Sequence, residues 1–367
     1  MVSKNIYPII SICIPTRDRA AFLEENLSNL IEIIDQFNLE EKIEIIISDN
    51  GSTDNTNQVL NNVIEKKYIK ILKHPNNIGF SANVLSMLKK ATGKYVWQLG
   101  DDDKLDKDAF IKIIKIVSRK DCPDIIVGKI KMKYSELIIS PPIKDKFIMD
   151  LEVKSKKNPR IFKYLGWFSV NLIKKCLIDY AINYIESNNQ TDIKSDWIHL
   201  LLIGIYLDQK PIRVKCYDKI TVIYNDGNWY FPPEIYLRAQ IESIIHIHET
   251  LETLGCINAS RFILNIINPI RIIGHLIIWK AFDTNHKNYF SCLKSTLKKI
   301  PDNFLKMKLL AAGLTLKLPK IILKCLVYMG KLTKLRMVIN YCIYSNRIYL
   351  SQHTRCDIEP FIRNIDS

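Results

Sequence analysis

Short apolar runs alternate with longer stretches of helical spacing over the first 130 residues of the chain. The predicted strands are Ile9–Ile14, Ile43–Ile47, Tyr68–Leu72, Tyr95–Leu99 and Asp124–Val127. The helices predicted between them are Ala20–Asp35, Asp54–Lys66, Phe80–Ala91 and Asp106–Arg119. Strands that are apolar throughout, with helices between them, predict an α/β fold in which helices cover both faces of a mostly parallel sheet.

The pattern changes after residue 130. Helices are predicted at Asn171–Ser187 and Ser195–Leu207, and short strands within Pro211–Tyr224. From Glu234 to Leu350 almost every segment has helical spacing. The sequence therefore predicts one domain over residues 1–231, in halves of about 1–130 and 131–231, and a helical domain over residues 232–367.

Composition is that of a globular protein, with 47% hydrophobic and 25% charged residues. The nine cysteines are scattered and form no CxxC pair, so we expect neither a disulfide framework nor a zinc site, but a reducing compartment. The N-terminus passes directly into a strand pattern without the layout of a signal peptide. These features predict a cytoplasmic protein.

The net charge of +15 is concentrated towards the C-terminus, where residues 231–367 carry 19 basic and nine acidic side chains. Lysines recur on one helical face: Lys317, Lys320, Lys324, Lys331 and Lys334. A basic amphipathic helix of this kind is typical of an anionic membrane surface, although a solvated face on a domain packed against the core would give the same pattern. Nucleic acid is not expected, because the region has neither a recognised module nor a series of stacking aromatics. A membrane span is not expected either, because charges interrupt the most apolar stretch, Ile263–Phe282.

Polar clusters follow three of the predicted strands: Pro15-Thr16-Arg17, Ser48–Asp54 and Gly100-Asp101-Asp102-Asp103. In a parallel sheet the carboxyl ends of the strands meet at one edge, where ligands bind. Taken singly, each cluster could also be an ordinary polar loop, a helix cap or a solvated acidic turn. Three adjacent carboxylates repel each other unless a cation is present, and Mg²⁺ and Mn²⁺ prefer oxygen ligands that include diphosphates. We therefore expect Mn²⁺ or Mg²⁺ at the third cluster.

Together these clusters resemble glycosyltransferase family 2, the inverting enzymes of the GT-A fold. The resemblance covers about Pro8–Asn225, and its most specific stretches are ISICIPTRDR, IEIIISDNGSTDNT, HPNNIGFSANV and ATGKYVWQLGDDD. It implies transfer of a sugar from a nucleotide-diphosphate sugar to an acceptor hydroxyl, with a nucleotide-binding half over residues 1–130 and an acceptor half over residues 131–231.

The resemblance also implies roles for individual residues. The implied nucleotide-sugar site comprises Pro15, Thr16, Arg17, Asp49, Asn50, Gly51, Asn77, Gly79, Asn83 and Asp101. The implied metal site is Asp102, with Asp103 behind it. Asn50 and Gly100 stand where the family often has aspartates, so the number of protein ligands to the metal is open.

An inverting transferase also needs a general base for the acceptor hydroxyl. The family places it about a hundred residues past the metal motif, at the start of a helix, which here implies Asp196; Asp192 is a weaker candidate. Asp196 could instead only begin the helix, a position that Asp favours. The acceptor side is implied at Gly166, Trp167 and Ser169, with a lid that contains Trp229.

Within the family, the GDDD variant and the basic tail most resemble bacterial polysaccharide enzymes, including abequosyltransferase-like enzymes that add dideoxy sugars to O-antigen. This implies a lipid-linked oligosaccharide or other glycan as acceptor, and a peripheral location on the inner face of the cytoplasmic membrane. Two other classes stay open: a scaffold that keeps the fold without turnover, and a sugar nucleotidyltransferase. The second is disfavoured, because the loop after the first strand, TRDRAAF, has no glycine.

Overall fold

The computed structural model describes residues 7–134, 136–143, 145–150, 157–190, 192–225, 237–264, 289–300 and 303–317, with single positions at 267, 272, 276 and 277. The chain divides into two compact units. The first comprises Met1–Lys131, Leu137–Tyr224 and His246–Ile266, and the second comprises Met132–Glu136, Asn225–Ile245 and Ile267–Ser367.

The strands are β1 (Ile10–Thr16), β2 (Ile43–Asp49), β3 (Ile69–Lys73), β4 (Tyr95–Gln98), β5 (Lys104–Leu105), β6 (Ile125–Met132), β7 (Ile138–Ile139), β8 (Asp145–Met149), β9 (Asn171–Lys174) and β10 (Ile212–Tyr224). The α-helices are α1 (Ala20–Gln36), α2 (Thr56–Asn61), α3 (Phe80–Lys90), α4 (Lys107–Val117), α5 (Lys157–Tyr164), α6 (Lys175–Ser187), α7 (Ile198–Gln209), α8 (Ser243–Thr253), α9 (Ile257–Ile263), α10 (Tyr289–Leu297) and α11 (Asn303–Gly313).

One mixed sheet has the strand order β3-β2-β1-β4-β9-β6-β10-β5, with β7 beside β6 and β8 beside β10. Strands β3, β2, β1 and β4 are parallel, in a register that pairs Thr16 with Asp49 and Ile10 with Tyr95. Strand β1 therefore lies between the two strands whose ends carry the Asp49 and Asp101 clusters. The position of β1 brings all three polar clusters to one edge.

The apolar strands are buried because helices cover the sheet on both faces. Every residue of β1, β2 and β4 is buried. On one face, Ile12 and Ile14 pack in a core with Leu27 of α1 and Phe110 of α4. The alternate residue Cys13 is also fully buried, so both faces of β1 are covered. The predicted fold class is confirmed.

Two segments differ from the sequence prediction. The segment Asn171–Lys174, predicted as the start of a helix, is strand β9, which runs antiparallel between β4 and β6. A segment of four residues is too short for its periodicity to distinguish a strand from a helix, and here pairing with β4 and β6 gives a strand. The segment predicted as short strands is one continuous strand, β10.

Glu44 is a buried carboxylate near the start of β2, at the opposite end of the strands from the polar clusters. It accepts hydrogen bonds from the Ser11 hydroxyl, the Thr92 backbone and hydroxyl, and the Gly93 N–H, and it pairs with Lys70 at 2.6 Å. Burial raises the pKa of Glu44, but the bonds from Lys70, Ser11 and Thr92 outweigh it and leave the pKa below its ordinary value. Glu44 therefore ties β1, β2, β3 and the start of β4 together as an ionised group.

The described residues of the second unit are mainly helical, although it also includes Met132 at the end of β6. Leu293 of α10 and Leu309 of α11 are buried, and Lys299 pairs with Glu242 at 2.7 Å. Lys317 lies over the ring of Phe290; the other four lysines of the predicted basic face lie outside the described residues. In the part of the chain that the structure describes, no helix is both long and apolar enough to cross a bilayer. The predicted boundary near residue 232 stays a prediction.

Candidate active site

The ends of β1 and β4 are joined directly by a hydrogen bond. The Thr16 hydroxyl donates to Oδ2 of Asp101 at 2.8 Å, and both side chains are buried. Thr16 is the last residue of β1, and Asp101 begins the turn after β4. Two clusters that lie 85 residues apart in sequence thus form one site, as the parallel order of the strands predicts.

Three side chains hold the acidic turn in place from behind. The Asn26 amide of α1 donates to the carbonyl oxygens of Gly100 and Asp103, at 2.8 and 2.7 Å. The Ser169 hydroxyl donates to Oδ2 of Asp103 and accepts from the Gly100 N–H at 2.9 Å. The Trp97 indole donates to the Ser169 carbonyl at 2.8 Å. Asp103 is therefore held in the protein interior, whereas 18% of the surface of the Asp102 side chain is exposed.

Arg19 lies across the front of this turn. Its Nε is 3.0 Å from Oδ1 of Asp101, and its Nη2 contacts Oδ2 of Asp102. Burial raises the pKa of Asp101 to about 7, although Arg19 acts to lower it. The guanidinium therefore neutralises two carboxylates that would otherwise repel each other.

The fit of a divalent cation depends on the donors that this turn offers. Among the described residues, no three His, Cys, Asp or Glu side chains form a cage for a metal ion. Mg²⁺ and similar cations in phosphate sites use one or two carboxylates and take their other ligands from phosphates and water. Asp102, partly exposed at the rim, fits that mode with a single carboxylate.

The loop after β2 is held by its own polar side chains. Asp49 accepts hydrogen bonds from the backbone and hydroxyl of Ser52, at 3.0 and 2.5 Å. Asn50 donates to Oδ1 of Asn77 at 2.9 Å and accepts from the Ile78 N–H at 2.8 Å. Gly51 has φ of +69°, and a Cβ there would lie 2.6 Å from the Asn76 backbone. The loops after β2 and β3 are therefore closely packed against each other.

The start of α3 completes this side of the site. Asn83 is buried and bonds Ser48 twice: its Oδ1 accepts from the hydroxyl at 2.6 Å, and its amide donates to the carbonyl at 3.1 Å. Gly79 precedes the helix with φ of +88°, and its N–H donates to Oδ1 of Asn77. These contacts bring Asn77, Gly79 and Asn83 beside the end of β2; their role in a nucleotide pocket stays a prediction.

Two aspartates join the loops after β1 and β2. Asp18, with φ of +52°, accepts from the Thr53 N–H at 2.7 Å, and its own N–H donates to the Ser52 hydroxyl at 2.9 Å. Asp54 accepts from the Ala20 N–H at 2.9 Å. Arg17 is exposed and pairs with Asp18 at 3.4 Å. In this structure Asp18, rather than the acidic turn, is the partner of Arg17.

The segment before α7, which carries Asp196, contacts the start of α3. The Ser81 hydroxyl donates to the Ser195 carbonyl at 2.5 Å and accepts from the Ser195 N–H at 2.9 Å. The Ser195 hydroxyl then accepts from the Trp197 N–H at 3.0 Å. Asp196 is held between these anchored neighbours and is partly exposed.

Residues 11–179 match the model of the family described as glycosyl transferase family 2. This match begins in β1 and includes the ends of β1, β2 and β4. Residues 11–179 form a family 2 glycosyltransferase domain.

Curated relatives of this family 2 domain are bacterial enzymes. The Salmonella typhimurium protein named abequosyltransferase RfbV is 42% identical over 103 residues, which are 28% of this chain and 30% of the relative. The poly(ribitol-phosphate) beta-glucosyltransferase of Bacillus spizizenii is 25% identical over 80% of this chain and 45% of its own length. The chain thus spans less than half the length of these curated relatives.

A solved structure resembles most of this chain in fold. S. aureus TarS, residues 1–349, superposes with a TM-score of 0.54 at 17% identity and covers 95% of this chain and 94% of its own. The same protein in complex with UDP gives a TM-score of 0.54 at 15% identity, with the same coverage. This likeness supports the GT-A architecture around the family 2 domain.

The segment implied as the acceptor side, around Gly166, packs among aromatic rings. A Cβ on Gly166 would lie 3.0 Å from Cζ3 of Trp197, so only a glycine lets that ring pack here without a shift. Trp167 meets Tyr224 edge-on, with ring centroids 5.2 Å apart. Phe168 contacts the partly exposed Phe80 at 5.8 Å. Gly166, Trp167 and Ser169 thus lie near α7 and the acidic turn, whereas Trp229 lies outside the described residues.

His199 lies fully inside this aromatic group. Its Nε2 is 3.3 Å from the Gly166 carbonyl, and its ring meets Phe168 edge-on at 5.4 Å. Burial lowers the pKa of His199 to about 4, although its bonds to backbone carbonyls act in the other direction. A neutral imidazole therefore fastens Gly166 to α7.

Sequence reasoning missed Arg19, Asn26 and Ser81. Asn26 did carry a signal, because it is a polar residue on the apolar face of α1 beside Leu23 and Leu27. Arg19 and Ser81 lie within conspicuous motifs, but their partners lie far away in sequence. Only the packed fold shows what these two side chains hold.

Proposed function

We propose that the chain is a bacterial glycosyltransferase that moves a sugar from a nucleotide-diphosphate sugar to an acceptor hydroxyl with inversion at the anomeric carbon. The observation that carries this proposal is the hydrogen bond between Thr16 and Asp101. It joins the ends of two parallel strands within a family 2 domain and aligns the third cluster, at the end of β2, beside them.

A nucleotide and its sugar would lie along this edge in a defined order. Asp49, beside β1, would receive hydrogen bonds from the base, and Asp101 would contact the ribose. The loop Asn77–Gly79 and the buried Asn83 would shape the remaining wall. The UDP complex of TarS, which shares the fold, supports a donor of this chemical class.

Asp196 would act as the general base. The acceptor hydroxyl oxygen attacks the anomeric carbon as the bond from that carbon to the diphosphate oxygen breaks. The hydroxyl proton passes to the Asp196 carboxylate, and the nucleoside diphosphate leaves. The two hydrogen bonds between Ser81 and Ser195 support this role, because they fix the backbone directly before Asp196.

Asp102 would hold Mn²⁺ or Mg²⁺ together with the diphosphate, and Asp103 would set the turn from behind. When bound, such a cation neutralises the charge that develops on the leaving diphosphate. Asp102 is the one carboxylate of the turn that is both partly exposed and at the rim.

The acceptor would be a glycan, in the form of a lipid-linked oligosaccharide of a surface polysaccharide. The names of the two bacterial relatives support this class, and the aromatic residues around Gly166 suit the stacking of sugar rings. The basic residues of positions 231–367 would hold the enzyme at an anionic membrane surface on the cytoplasmic side.

The donor site is tested by thermal shift with UDP, GDP, CDP and dTDP, each with and without Mn²⁺. A ligand at 100 times its Kd adds about 2.7 kcal/mol to the free energy of unfolding, which moves the melting temperature measurably. We expect a Mn²⁺-dependent shift with one diphosphate that is lost in Asp102→Ala. No shift with any of the four, in a folded protein, would overturn the donor site and favour a scaffold.

The base is tested by kcat with the donor that the screen identifies. Asp196→Asn should lower kcat by about 10²–10⁴-fold, the usual contribution of a general base, and leave binding of the diphosphate unchanged. Asp192→Asn is the matched control, because the Asp192 side chain is 79% exposed and pairs with Lys194 at 2.8 Å. A larger loss in Asp192→Asn than in Asp196→Asn would reverse the assignment.

A further inference from the structure

Arg19 contacts the acidic turn but has no role in the reaction proposed above. Its guanidinium contacts Asp101 through Nε, at 3.0 Å, and Asp102 through Nη2. Its Cζ lies 5.0 Å above the ring of Phe22, which supports the side chain from below. The Arg19 side chain is 36% exposed, so it faces the open side of the acidic turn.

Arg19 rather than Arg17 is directed at the acidic turn. Arg17 is held by Asp18, which in turn accepts from Thr53 in the loop after β2. The two arginines of the same loop thus point to different partners. Arg19 contacts Asp101 and Asp102, whereas the family resemblance implied a role for Arg17.

The contact at Asp102 has a direct consequence for metal binding. Oδ2 of Asp102 accepts a hydrogen bond from the Arg19 guanidinium. A cation that binds this carboxylate must therefore compete with a positive charge already in place. Two positive charges that share one carboxylate repel each other. A cation that arrives with a diphosphate brings negative charge with it, and guanidinium groups bind phosphate oxygens through paired N–H donors.

We propose that Arg19 is an exchangeable counter-ion: it neutralises Asp101 and Asp102 while the donor site is empty, yields Asp102 to the divalent cation, and then binds the donor diphosphate. This inference rests on the proposed function of the same site. An exchangeable counter-ion of this kind weakens the binding of free metal to the site and strengthens the binding of metal with diphosphate. The metal and the diphosphate therefore bind together.

A purely structural role for Arg19 makes the opposite prediction. If the guanidinium only pins the loop after β1 to the acidic turn, its removal loosens the turn and weakens every ligand. The direction of change in free-metal affinity therefore separates the two roles. A counter-ion competes with the metal, and its loss makes free metal bind more tightly.

The experiment measures Mn²⁺ binding by electron paramagnetic resonance without nucleotide, and UDP or inorganic pyrophosphate binding by calorimetry at saturating Mn²⁺. For Arg19→Gln we expect free Mn²⁺ to bind at least several-fold more tightly than to wild type, and both diphosphates to bind several-fold more weakly. Arg19→Lys keeps the positive charge but lacks the paired N–H donors of the guanidinium. Its Mn²⁺ affinity should therefore lie between those of wild type and Arg19→Gln. Tighter Mn²⁺ binding by Arg19→Lys than by wild type tests the proposal even if Arg19→Gln is poorly folded.

Arg213→Gln is the matched control, because Arg213 also bridges two carboxylates, Asp121 and Asp124, but on β10. It should leave both affinities unchanged. Weaker or equal Mn²⁺ binding in both Arg19 variants would overturn the counter-ion role while the donor site stands. Absence of Mn²⁺ binding to folded wild type, with and without the diphosphates, would remove the metal-dependent donor site and this inference with it.

Discussion

Ser81 and Ser195 are linked by two hydrogen bonds that use one hydroxyl as both donor and acceptor. Oγ of Ser81 donates to the Ser195 carbonyl at 2.5 Å and accepts from the Ser195 N–H at 2.9 Å, across 114 residues of sequence. Both residues are buried. The first turn of α3 therefore fixes the backbone that carries Asp196.

Ser81→Ala removes both bonds and leaves the Ser195 N–H and carbonyl buried without this partner. We expect the free energy of unfolding to fall by about 1–3 kcal/mol, measured by urea unfolding, because a buried polar group that loses its bond costs that much. The kcat for sugar transfer should fall more than the affinity for the diphosphate, because Asp196 loses its fixed position.

Ser28→Ala is the control for this change. The Ser28 hydroxyl is exposed and donates only to the Glu24 carbonyl of its own helix, so the unfolding free energy should stay within about 0.5 kcal/mol of wild type. Equal losses in the two variants would show that the contact between Ser81 and Ser195 has no special role.

Gly166→Ala places a methyl group 3.0 Å from both the Trp197 ring and the Lys163 carbonyl. The ring next to Asp196 must shift, and overpacking of this kind costs about 1–3 kcal/mol of stability. We expect kcat to fall by up to about 100-fold, since small displacements of catalytic groups have effects of that size. Steady-state kinetics and urea unfolding measure the two effects.

Gly204→Ala is the matched change within α7. Its Cβ would meet Leu251 and Ala259 at 3.4–3.6 Å, which is ordinary contact. Alanine favours the interior of a helix over glycine by about 1 kcal/mol, so this variant should be more stable and equally active. A loss of activity in Gly204→Ala as large as that in Gly166→Ala would show that displacing the Trp197 ring has no special effect on catalysis.

Glu44 predicts how stability changes with pH. Its folded-state pKa lies below the unfolded value of about 4.3. Glu44 therefore stabilises the fold above that pH, and its contribution is lost as the pH falls through the folded-state pKa. Glu44→Gln should cost about 1–3 kcal/mol at pH 7, and its unfolding free energy should approach that of wild type as the pH drops to 3.

Urea unfolding at pH 7, 5, 4 and 3 tests this convergence. Glu32→Gln, an exposed change on α1, is the control and should follow wild type at every pH. A constant difference between Glu44→Gln and wild type across the series would mean that packing, rather than the charge of Glu44, stabilises the sheet.

Asn50→Asp restores the aspartate that the family often has at this position. The new carboxylate can still accept from the Ile78 N–H, but it loses the donor to Oδ1 of Asn77 and sets oxygen against oxygen. We expect a loss of about 1 kcal/mol in urea unfolding and weaker binding of UDP with Mn²⁺ by calorimetry.

Asn57→Asp is the control for this substitution. The Asn57 side chain is exposed and accepts from Lys73, so a carboxylate there should keep or slightly raise stability. Tighter UDP binding in Asn50→Asp than in wild type would show that Asn50 is not adapted to its partner Asn77.

The parts of the site that the sequence predicts are those that follow from strand ends. Thr16, Asp49 and Asp101 lie where apolar runs stop, and the parallel order of the strands then sets them side by side. The contacts of Arg19 and Ser81 depend instead on how far each helix and loop turns towards its neighbour. That orientation is a result of packing between distant segments, which periodicity does not encode.

Strand β9 shows the same division between local pattern and packing. Asn171–Lys174 is apolar enough for a helix or a strand, and the open edge of β4 decides between them. The Asn171 amide, fully buried, donates to the carbonyls of Leu165 and Trp167 and so holds the segment before β9 against the strand. A residue that is ambiguous by local pattern is thus well determined by its partners.

The paired contacts between the loops after β1 and β2 bear on how this enzyme could be re-engineered. Asp18 binds Thr53, and Asp54 binds the Ala20 N–H, so each loop supplies a carboxylate to the backbone of the other. Chimaeras with homologous transferases should therefore exchange residues 16–56 as one cassette. Splitting the cassette between parents would separate each carboxylate from the backbone shape that it recognises.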